Sequence, residues 1–183
     1  MKEISIIIPT FNEKKNIHRL IKNIKKVVPK AHIVIVDDSI DSEIGNIIKK
    51  NKYLHVNYYH RKNARGRGSA VLFGLRKNFT KNKKRIFIEM DADFSHNPSE
   101  LKKNIKLFIK NKSDLLLASR YLPKSRIFNW AFSRRIFSKL SNILAKTILK
   151  INVTDYTNGF RIYSKEATKL IVKKCGKIGD GFI

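Results

Sequence analysis

Acidic side chains are concentrated in three short segments, each of which directly follows an apolar run. The chain has only 14 Asp and Glu residues, and six of them stand in these segments: Glu13, Asp37, Asp38, Asp41, Asp91 and Asp93. In Asp91-Ala92-Asp93, two carboxylates separated by one small residue offer oxygen ligands to a hard cation. Proteins typically hold Mg²⁺ or Mn²⁺ with one or two carboxylates and the phosphate oxygens of a ligand. The pattern indicates a cation-assisted phosphate site, and turn-capping acids are the alternative.

A second candidate feature is the segment Arg65-Gly66-Arg67-Gly68, which stands before a predicted helix. Glycine lets the backbone approach a ligand closely, and the first turn of a helix offers unpaired N–H groups to an anion. The G-x-G-x-x-G spacing of a dinucleotide site is absent. The segment favours a phosphate-bearing ligand, and a loop that needs positive φ is the other interpretation.

Hydrophobic periodicity predicts the elements that must position these residues. Residues 4–8, 33–36, 56–59, 85–90 and 114–118 are typical of strands, and residues 13–27, 42–50, 68–78 and 98–110 have helical spacing. Pro98 suits a first helical turn, with Asn97 or Ser99 as its cap. This alternation predicts an α/β fold with a mostly parallel sheet and helices on both faces. Ligands of such sheets bind outside the carboxyl ends of the strands, where the three acidic segments stand.

Composition limits the classes of protein to which the chain can belong. Its 183 residues, 42% of them hydrophobic, suit one folded α/β domain. The net charge of +26 predicts attraction to nucleotides, nucleic acid or an acidic lipid surface, although solvated lysines of a biased composition explain it equally well. The single cysteine, Cys175, favours a reducing cytoplasm. Because no run of ~20 apolar residues is present, membrane contact is expected to be peripheral.

Four segments in order along the chain carry a family resemblance. They are residues 6–13 (IIIPTFNE), 36–38 (VDD), 67–70 (RGSA) and 90–98 (MDADFSHNP). Together they resemble the family-2 glycosyltransferases of GT-A fold. Residues 119–121 (SRY), 134–139 (RRIFSK) and 155–161 (DYTNGFR) narrow the resemblance to dolichyl-phosphate mannosyltransferase and related polyprenyl-phosphate sugar transferases.

The resemblance implies a Rossmann-like nucleotide-sugar-binding domain and a role for each matching residue. The implied reaction is metal-dependent, inverting transfer of a sugar, with mannose from GDP-mannose favoured, to a polyprenyl or dolichyl phosphate. Asp91 and Asp93 would bind Mg²⁺ or Mn²⁺, with Ser95 near a third position. The nucleotide-sugar donor would contact Pro9, Phe11, Glu13, Asp37 or Asp38, Arg67 and Gly68. The acceptor phosphate would contact Arg120, Arg134 and Ser138, and Asp155 is a candidate base should the acceptor be a hydroxyl.

A helix predicted over residues 133–150 divides into three stripes at helical spacing. The apolar stripe consists of Ile136, Leu140, Ile143, Leu144 and Thr147. A stripe that could face a ligand channel consists of Arg134, Ser138, Ser141 and Ala145. The basic stripe consists of Arg135, Lys139, Lys146 and Lys150. The basic stripe indicates contact with an anionic membrane surface on the cytoplasmic side, and an ordinary solvated face is the alternative.

Two departures from the family pattern leave other functions open. The loop of residues 37–41 is one residue shorter than usual, and the chain ends at Ile183. In the family, an acidic residue, a strand and an interfacial helix follow, so residues 1–183 are expected to be one domain truncated at its C-terminal end. The alternatives are a transferase acting on a saccharide hydroxyl, a nucleotidyltransferase, a basic nucleic-acid-binding module and an inactive remnant. Nucleic acid is the less favoured partner because no recognised binding motif accompanies the charge.

Overall fold

A computed structural model describes residues 3–63, 65–79, 84–123, 125 and 132–175, without the side chains of residues 84, 85, 132, 134 and 135. Its strands are β1 (Glu3–Thr10), β2 (His32–Asp37), β3 (Val56–His60), β4 (Lys84–Glu89), β5 (Leu115–Leu117) and β6 (Arg161–Ser164). They form one sheet in the order β3-β2-β1-β4-β6-β5. Strands β1 to β4 are parallel, whereas β6 runs antiparallel to both β4 and β5. The predicted mostly parallel sheet is confirmed.

Helices follow most strands, as the periodicity predicts. They are α1 (Lys14–Val27), α2 (Glu43–Asn51), α3 (Arg67–Phe79), α4 (Leu101–Lys110), α5 (Phe132–Leu149) and α6 (Lys165–Lys174). A 3₁₀ turn at Pro98–Glu100 leads into α4, and Asn97 caps it by accepting a hydrogen bond from the Ser99 N–H at 3.0 Å. The short strand β6 and the helix α6 lie outside the predicted elements.

Apolar side chains pack on both faces of the sheet. Successive residues of a strand point to opposite faces. Ile6 and Ile8 pack in the cluster formed with α1, α2 and α4, whereas Ile7 packs in the cluster formed with α3 and α6. Burial on both faces explains why these strands are continuous apolar runs rather than alternating ones. Helices therefore cover both faces of the sheet. A ligand can reach the sheet only at the ends of the strands.

The strand order places the ends of β1, β2 and β4 side by side. From β1 the chain proceeds outward to β2 and β3, and then crosses back through α3 to β4 on the other side of β1. This reversal is the topological switch point at which open α/β sheets bind ligands. All three acidic segments follow these strands.

Helix α5 contacts the rest of the protein through its small polar side chains. Ser138 and Asn142 are buried, and they bond to Tyr121 and to the Tyr156 N–H at 2.7 and 2.6 Å. Its apolar residues are exposed instead: Ile136, Phe137, Leu140, Ile143, Leu144, Ile148 and Leu149. None of the described helices has the length and apolar character of a membrane-spanning segment.

Candidate active site

A cleft of about 420 Å³ opens at the carboxyl ends of the parallel strands. It is lined by residues 9–11 and Glu13 at the end of β1 and just after it, and by Asp38 after β2. Its other lining residues are 65–67 and Ala70 around the start of α3 and 91–93 after β4. The structure thus brings together seven of the residues to which the resemblance assigned a role: Pro9, Phe11, Glu13, Asp38, Arg67, Asp91 and Asp93. Three other predicted site residues are close in sequence to lining residues but do not line the cleft themselves: Asp37, Gly68 and Ser95.

At the β2 end of the cleft, Asp38 is held by an arginine. Arg61 donates from Nε and Nη2 to the two carboxylate oxygens of Asp38 at 2.7 and 2.6 Å. Arg61 also donates to Ser69 Oγ at 3.2 Å, which connects this pair to the first turn of α3. Arg61 was not singled out in the sequence. Its position directly after β3 is the signal that could have identified it, because the ends of parallel strands meet at one edge.

Asp37 is the last residue of β2 and is fully buried. Its carboxylate accepts hydrogen bonds from Thr10 Oγ1 at 2.9 Å, Ser39 Oγ at 2.6 Å and the Tyr58 hydroxyl at 2.9 Å. Burial, together with the Asp37 carboxylate, raises the pKa of the Tyr58 hydroxyl above its ordinary value, so tyrosine remains a donor. Asp37 therefore orders the loop after β2, and direct contact with a nucleoside stays a prediction.

The backbone of the loops around the cleft adopts left-handed conformations. Gly66 has φ of 116°, which favours glycine and agrees with the interpretation of this segment as a loop with positive φ. Asn12 and Phe94 have φ of 59° and 62°, in the loops after β1 and β4. Four other described non-glycine residues have positive φ away from the cleft, so this conformation does not by itself mark the site: Lys52, His55, Lys112 and Lys150. Gly68 is helical and buried behind the cleft wall.

The carboxylates after β4 each use one oxygen within the protein. Asp91 Oδ1 accepts from Arg67 Nε at 2.8 Å, and Asp93 Oδ1 accepts from the Ser95 N–H at 2.9 Å. Within the described part of the chain, no group of three or more Asp, Glu, His or Cys side chains converges on one point. Two carboxylates beside a cleft fit a cation such as Mg²⁺ or Mn²⁺ that takes its remaining ligands from phosphate and water. The hydroxyl of Ser95 is exposed nearby.

His96, for which the sequence predicted no role, connects this carboxylate segment to the loop before β6. Its Nδ1 accepts from the Asp91 N–H at 3.2 Å, and its Nε2 pairs with Asn158 Oδ1 at 2.9 Å. These partners require the neutral tautomer that carries its proton on Nε2. Burial lowers the pKa of His96, although Asp91 and Asn158 act in the opposite direction. The 3.8 Å approach of the ring to Asp91 Oδ2 is therefore no ion pair.

A second polar cluster forms around Asp155, whose side chain is fully buried. Arg120 donates to it from its backbone N–H at 3.1 Å, from Nε at 2.7 Å and from Nη2 at 2.8 Å, and the Thr157 N–H donates at 3.2 Å. Burial alone would raise the pKa of Asp155, but the hydrogen bonds and charge of Arg120 outweigh it and hold that pKa below its ordinary value. A carboxylate with these partners is a weak base.

The remaining predicted acceptor residues lie on α5. Ser138 is buried and its Oγ accepts from the Tyr121 hydroxyl at 2.7 Å, which places it against the loop that carries Arg120. The side chain of Arg134 lies outside the described residues. The role of both in binding an acceptor stays a prediction.

Comparison with known proteins agrees with this geometry. The model of the family described as glycosyl transferase family 2 matches residues 5–171. Polyprenol monophosphomannose synthase of Mycolicibacterium smegmatis is 31% identical over 173 residues, which cover 91% of this chain and 63% of that protein. Dolichol-phosphate mannosyltransferase of Pyrococcus furiosus is 31% identical over 172 residues, which cover 91% of this chain and 47% of that protein. The chain thus spans about half to two thirds of the length of these relatives.

Solved structures support the fold. Glucosyl-3-phosphoglycerate synthase from Mycobacterium tuberculosis, solved with Mn²⁺, UDP-glucose and phosphoglyceric acid, matches with a TM-score of 0.64. The match has 16% sequence identity and covers 90% of this chain and 57% of that one. The family match extends over most of the residues that build the sheet and the cleft. The chain belongs to glycosyl transferase family 2.

Proposed function

We propose that the chain transfers mannose from GDP-mannose to a polyprenyl phosphate. Support comes from the two relatives named above. The main structural support is the loop of residues 155–159, which contacts both Arg120 and the residues around the cleft. At one end of this loop, Asp155 holds Arg120. At the other end, Asn158 pairs with His96 of the segment that carries Asp91, and the Gly159 carbonyl accepts from Arg67, which also donates to Asp91. A donor in the cleft and an anionic acceptor at Arg120 would therefore be held by one connected set of residues.

In this proposal, the cleft is the binding site of the nucleotide-sugar donor. Asp91 and Asp93 would hold Mg²⁺ or Mn²⁺ beneath the diphosphate. The cation, when bound, supplies neutralisation of the charge that develops on the leaving diphosphate. Phe11 lies half exposed on the cleft wall with the Arg65 guanidinium 5.5 Å from its ring centre, and this pair offers a flat surface to a base. Guanine as the base rests on the family resemblance of the sequence, since the names of the relatives give mannose and a lipid phosphate but no nucleotide.

Acceptor binding requires positioning rather than base catalysis. A phosphate monoester is ionised near neutral pH, so its oxygen needs no general base to attack the anomeric carbon. Arg120, Arg134 and Ser138 would orient it, and attack opposite the diphosphate inverts the configuration. Both carboxylate oxygens of Asp155 already accept hydrogen bonds from Arg120, so Asp155 is a poor base. This disfavours the alternative of a saccharide hydroxyl acceptor, which would need one.

Ligand-dependent thermal stability tests the donor assignment. Only a ligand that prefers the folded state raises the unfolding midpoint, and a ligand at 100 times its Kd stabilises by about 2.7 kcal/mol. We expect GDP-mannose to raise the midpoint by several degrees when Mn²⁺ is present and UDP-, ADP- and CDP-sugars to raise it less. Equal shifts for all four, with and without chelator, would refute the donor assignment.

Replacement of Arg134 tests the acceptor assignment. Arg134→Ala should lower the efficiency with a short, detergent-solubilised polyprenyl phosphate about 10- to 100-fold, since one charge-assisted contact contributes roughly 1.5–3 kcal/mol. GDP-mannose binding should remain within about twofold of wild type. Arg135→Ala is the matched control, because it removes the same charge from the next position on the helix. An equal loss of donor affinity would show that Arg134 contacts the donor rather than the acceptor.

Helix α5 is also proposed to contact an anionic membrane surface from the cytoplasmic side. The sequence indicated electrostatic contact through the basic stripe alone. In the structure, the apolar stripe faces outward as well, beside exposed Lys139, Lys146 and Lys150. An interfacial helix combines these two features, and each basic residue contributes about 1 kcal/mol near anionic lipid.

Vesicle binding separates the apolar contribution from the electrostatic one. The double replacement Leu144→Ser and Ile148→Ser should weaken binding to acidic vesicles at least about tenfold, because both side chains are exposed on the outer face of α5. High salt should weaken the remaining binding further. Leu54→Ser is the control, since Leu54 is 79% exposed but lies in the loop before β3, at the opposite end of the strands. Comparable, sequence-selective binding to single-stranded nucleic acid would favour the nucleic-acid module instead.

A further inference from the structure

Arg67 uses its whole guanidinium group within the protein. Its Nε donates to Asp91 Oδ1 at 2.8 Å, its Nη1 donates to Glu89 Oε1, and its Nη2 donates to the carbonyl of Gly159 at 3.0 Å. Only 21% of the side chain is exposed. Three partners around one planar group fix its orientation, because Arg presents its donors in a rigid fork.

Glu89 provides the anchor for this arginine. It stands in β4, its side chain is fully buried, and its second oxygen accepts from the Tyr163 hydroxyl at 2.7 Å. A buried carboxylate is costly unless it is paired, so removal of the Arg67 charge would leave Glu89 with a large desolvation cost. Burial alone would lower the pKa of Arg67, but the charges of Glu89 and Asp91 outweigh it, and the guanidinium stays charged.

Gly159 completes the arrangement through close backbone approach. A Cβ atom at this position would lie 2.5 Å from Asp91 Oδ2 and would also overlap the Arg67 guanidinium. Only glycine therefore lets the carbonyl of residue 159 reach Arg67 while Asp91 keeps its position. The contact joins residues 92 positions apart in the chain.

We propose that Arg67 is a positioning residue, anchored by Glu89, which holds the Asp91 carboxylate for the cation and links it to the acceptor-side loop through Gly159. The inference rests on the proposed function and deepens it. It differs from the expectation drawn from the sequence, in which Arg67 contacts the nucleotide. A positioning role predicts that Arg67 and Glu89 govern cation affinity together, whereas nucleotide contact predicts that Arg67 acts without Glu89.

Two conservative replacements test this inference by calorimetry. Arg67→Lys keeps the charge but replaces the planar three-nitrogen fork, which spans Asp91, Glu89 and Gly159, by a single nitrogen. Glu89→Gln keeps the size of the side chain but removes its charge. Each should weaken Mn²⁺ binding, measured at saturating GDP, by roughly tenfold or more, which is the usual effect of losing a residue that orients a metal ligand. GDP affinity in chelator should change less than about twofold. The unfolding midpoint of each variant is recorded, and Arg67→Lys decides the test if Glu89→Gln does not fold.

The control is Arg76→Lys, which makes the same replacement at an exposed residue in the last turn of the same helix, α3. It should leave Mn²⁺ affinity at saturating GDP within about twofold. If Arg67→Lys lost GDP binding in chelator and Glu89→Gln did not, the inference would be overturned, because Arg67 would then contact the nucleotide directly. Unchanged Mn²⁺ affinity in both variants would overturn it as well. A wild-type GDP affinity that is the same with Mn²⁺ and with chelator would overturn the proposed function and the inference together.

Discussion

Replacing Asp93 with asparagine should remove the effect of Mg²⁺ or Mn²⁺ on GDP-mannose binding without unfolding the protein. Asparagine keeps the size and one oxygen of aspartate but lacks its charge, so a hard cation loses its best ligand. The Asp93 side chain accepts the Ser95 N–H, a hydrogen bond that an amide oxygen can also accept. Donor affinity in metal should fall about 10- to 100-fold, towards its value in chelator, as measured by calorimetric titration.

Asp41→Asn is the matched control for this replacement. Asp41 also stands in a loop after a strand, is exposed, and accepts a hydrogen bond from the N–H two residues later, that of Glu43, at 3.2 Å. It therefore reproduces the turn geometry of Asp93 away from the carboxylate pair. If Asp93 only shapes its turn, both variants should bind donor like the wild type, since Asn caps about as well as Asp. That outcome would contradict the metal-site assignment.

Replacing Asp155 with asparagine should lower the free energy of unfolding by about 3 kcal/mol, because it leaves the charge of Arg120 without its buried partner. The expected effect lies at the lower end for such pairs, since 21% of the Arg120 side chain is exposed. The pKa of Asp155 is lower in the folded protein than in the unfolded one. Its contribution to stability is therefore fully present above a pH of about 4 and is lost as the pH falls through the folded pKa.

Denaturant unfolding at several pH values checks this prediction. The wild-type protein should lose more stability than Asp155→Asn when the pH is lowered from neutral to acid. Glu43→Gln is the control, because the Glu43 and Lys14 side chains are 49% and 48% exposed, and such an exposed pair should contribute little to stability. Equal losses in the two variants, or parallel pH profiles for wild type and Asp155→Asn, would show that Asp155 and Arg120 form no stabilising pair.

The parts of the fold that sequence predicts are those with a strong local period. Strands β1, β2 and β4 are buried on both faces, and their apolar runs are therefore visible in the sequence. The parallel arrangement then brings Asp38, Asp91 and Asp93 to one cleft, because strand ends of such a sheet share an edge. Strand β6 has only four residues, too few for its alternation to stand out.

The parts of the site that sequence does not predict depend on contacts between distant residues. Nothing in the local sequence of β4 indicates that Glu89 pairs with Arg67 and Tyr163, and only the structure shows these contacts. His96 and Asn158 are 62 positions apart, and no local pattern connects them. The apolar stripe of α5 has the period of a core helix, yet its side chains are exposed, because periodicity identifies a face without saying what covers it.

Formation of a mannolipid tests the central claim most directly. The protein is incubated with radiolabelled GDP-mannose, Mn²⁺ and vesicles that contain a polyprenyl phosphate, and the lipid fraction is then extracted and counted. We expect label to enter a mild-acid-labile polyprenyl phosphate mannose, and we expect chelator or Asp93→Asn to abolish it. Binding of GDP-mannose without any labelled lipid, in an assay where a full-length relative forms it, would contradict the proposed transfer to a polyprenyl phosphate.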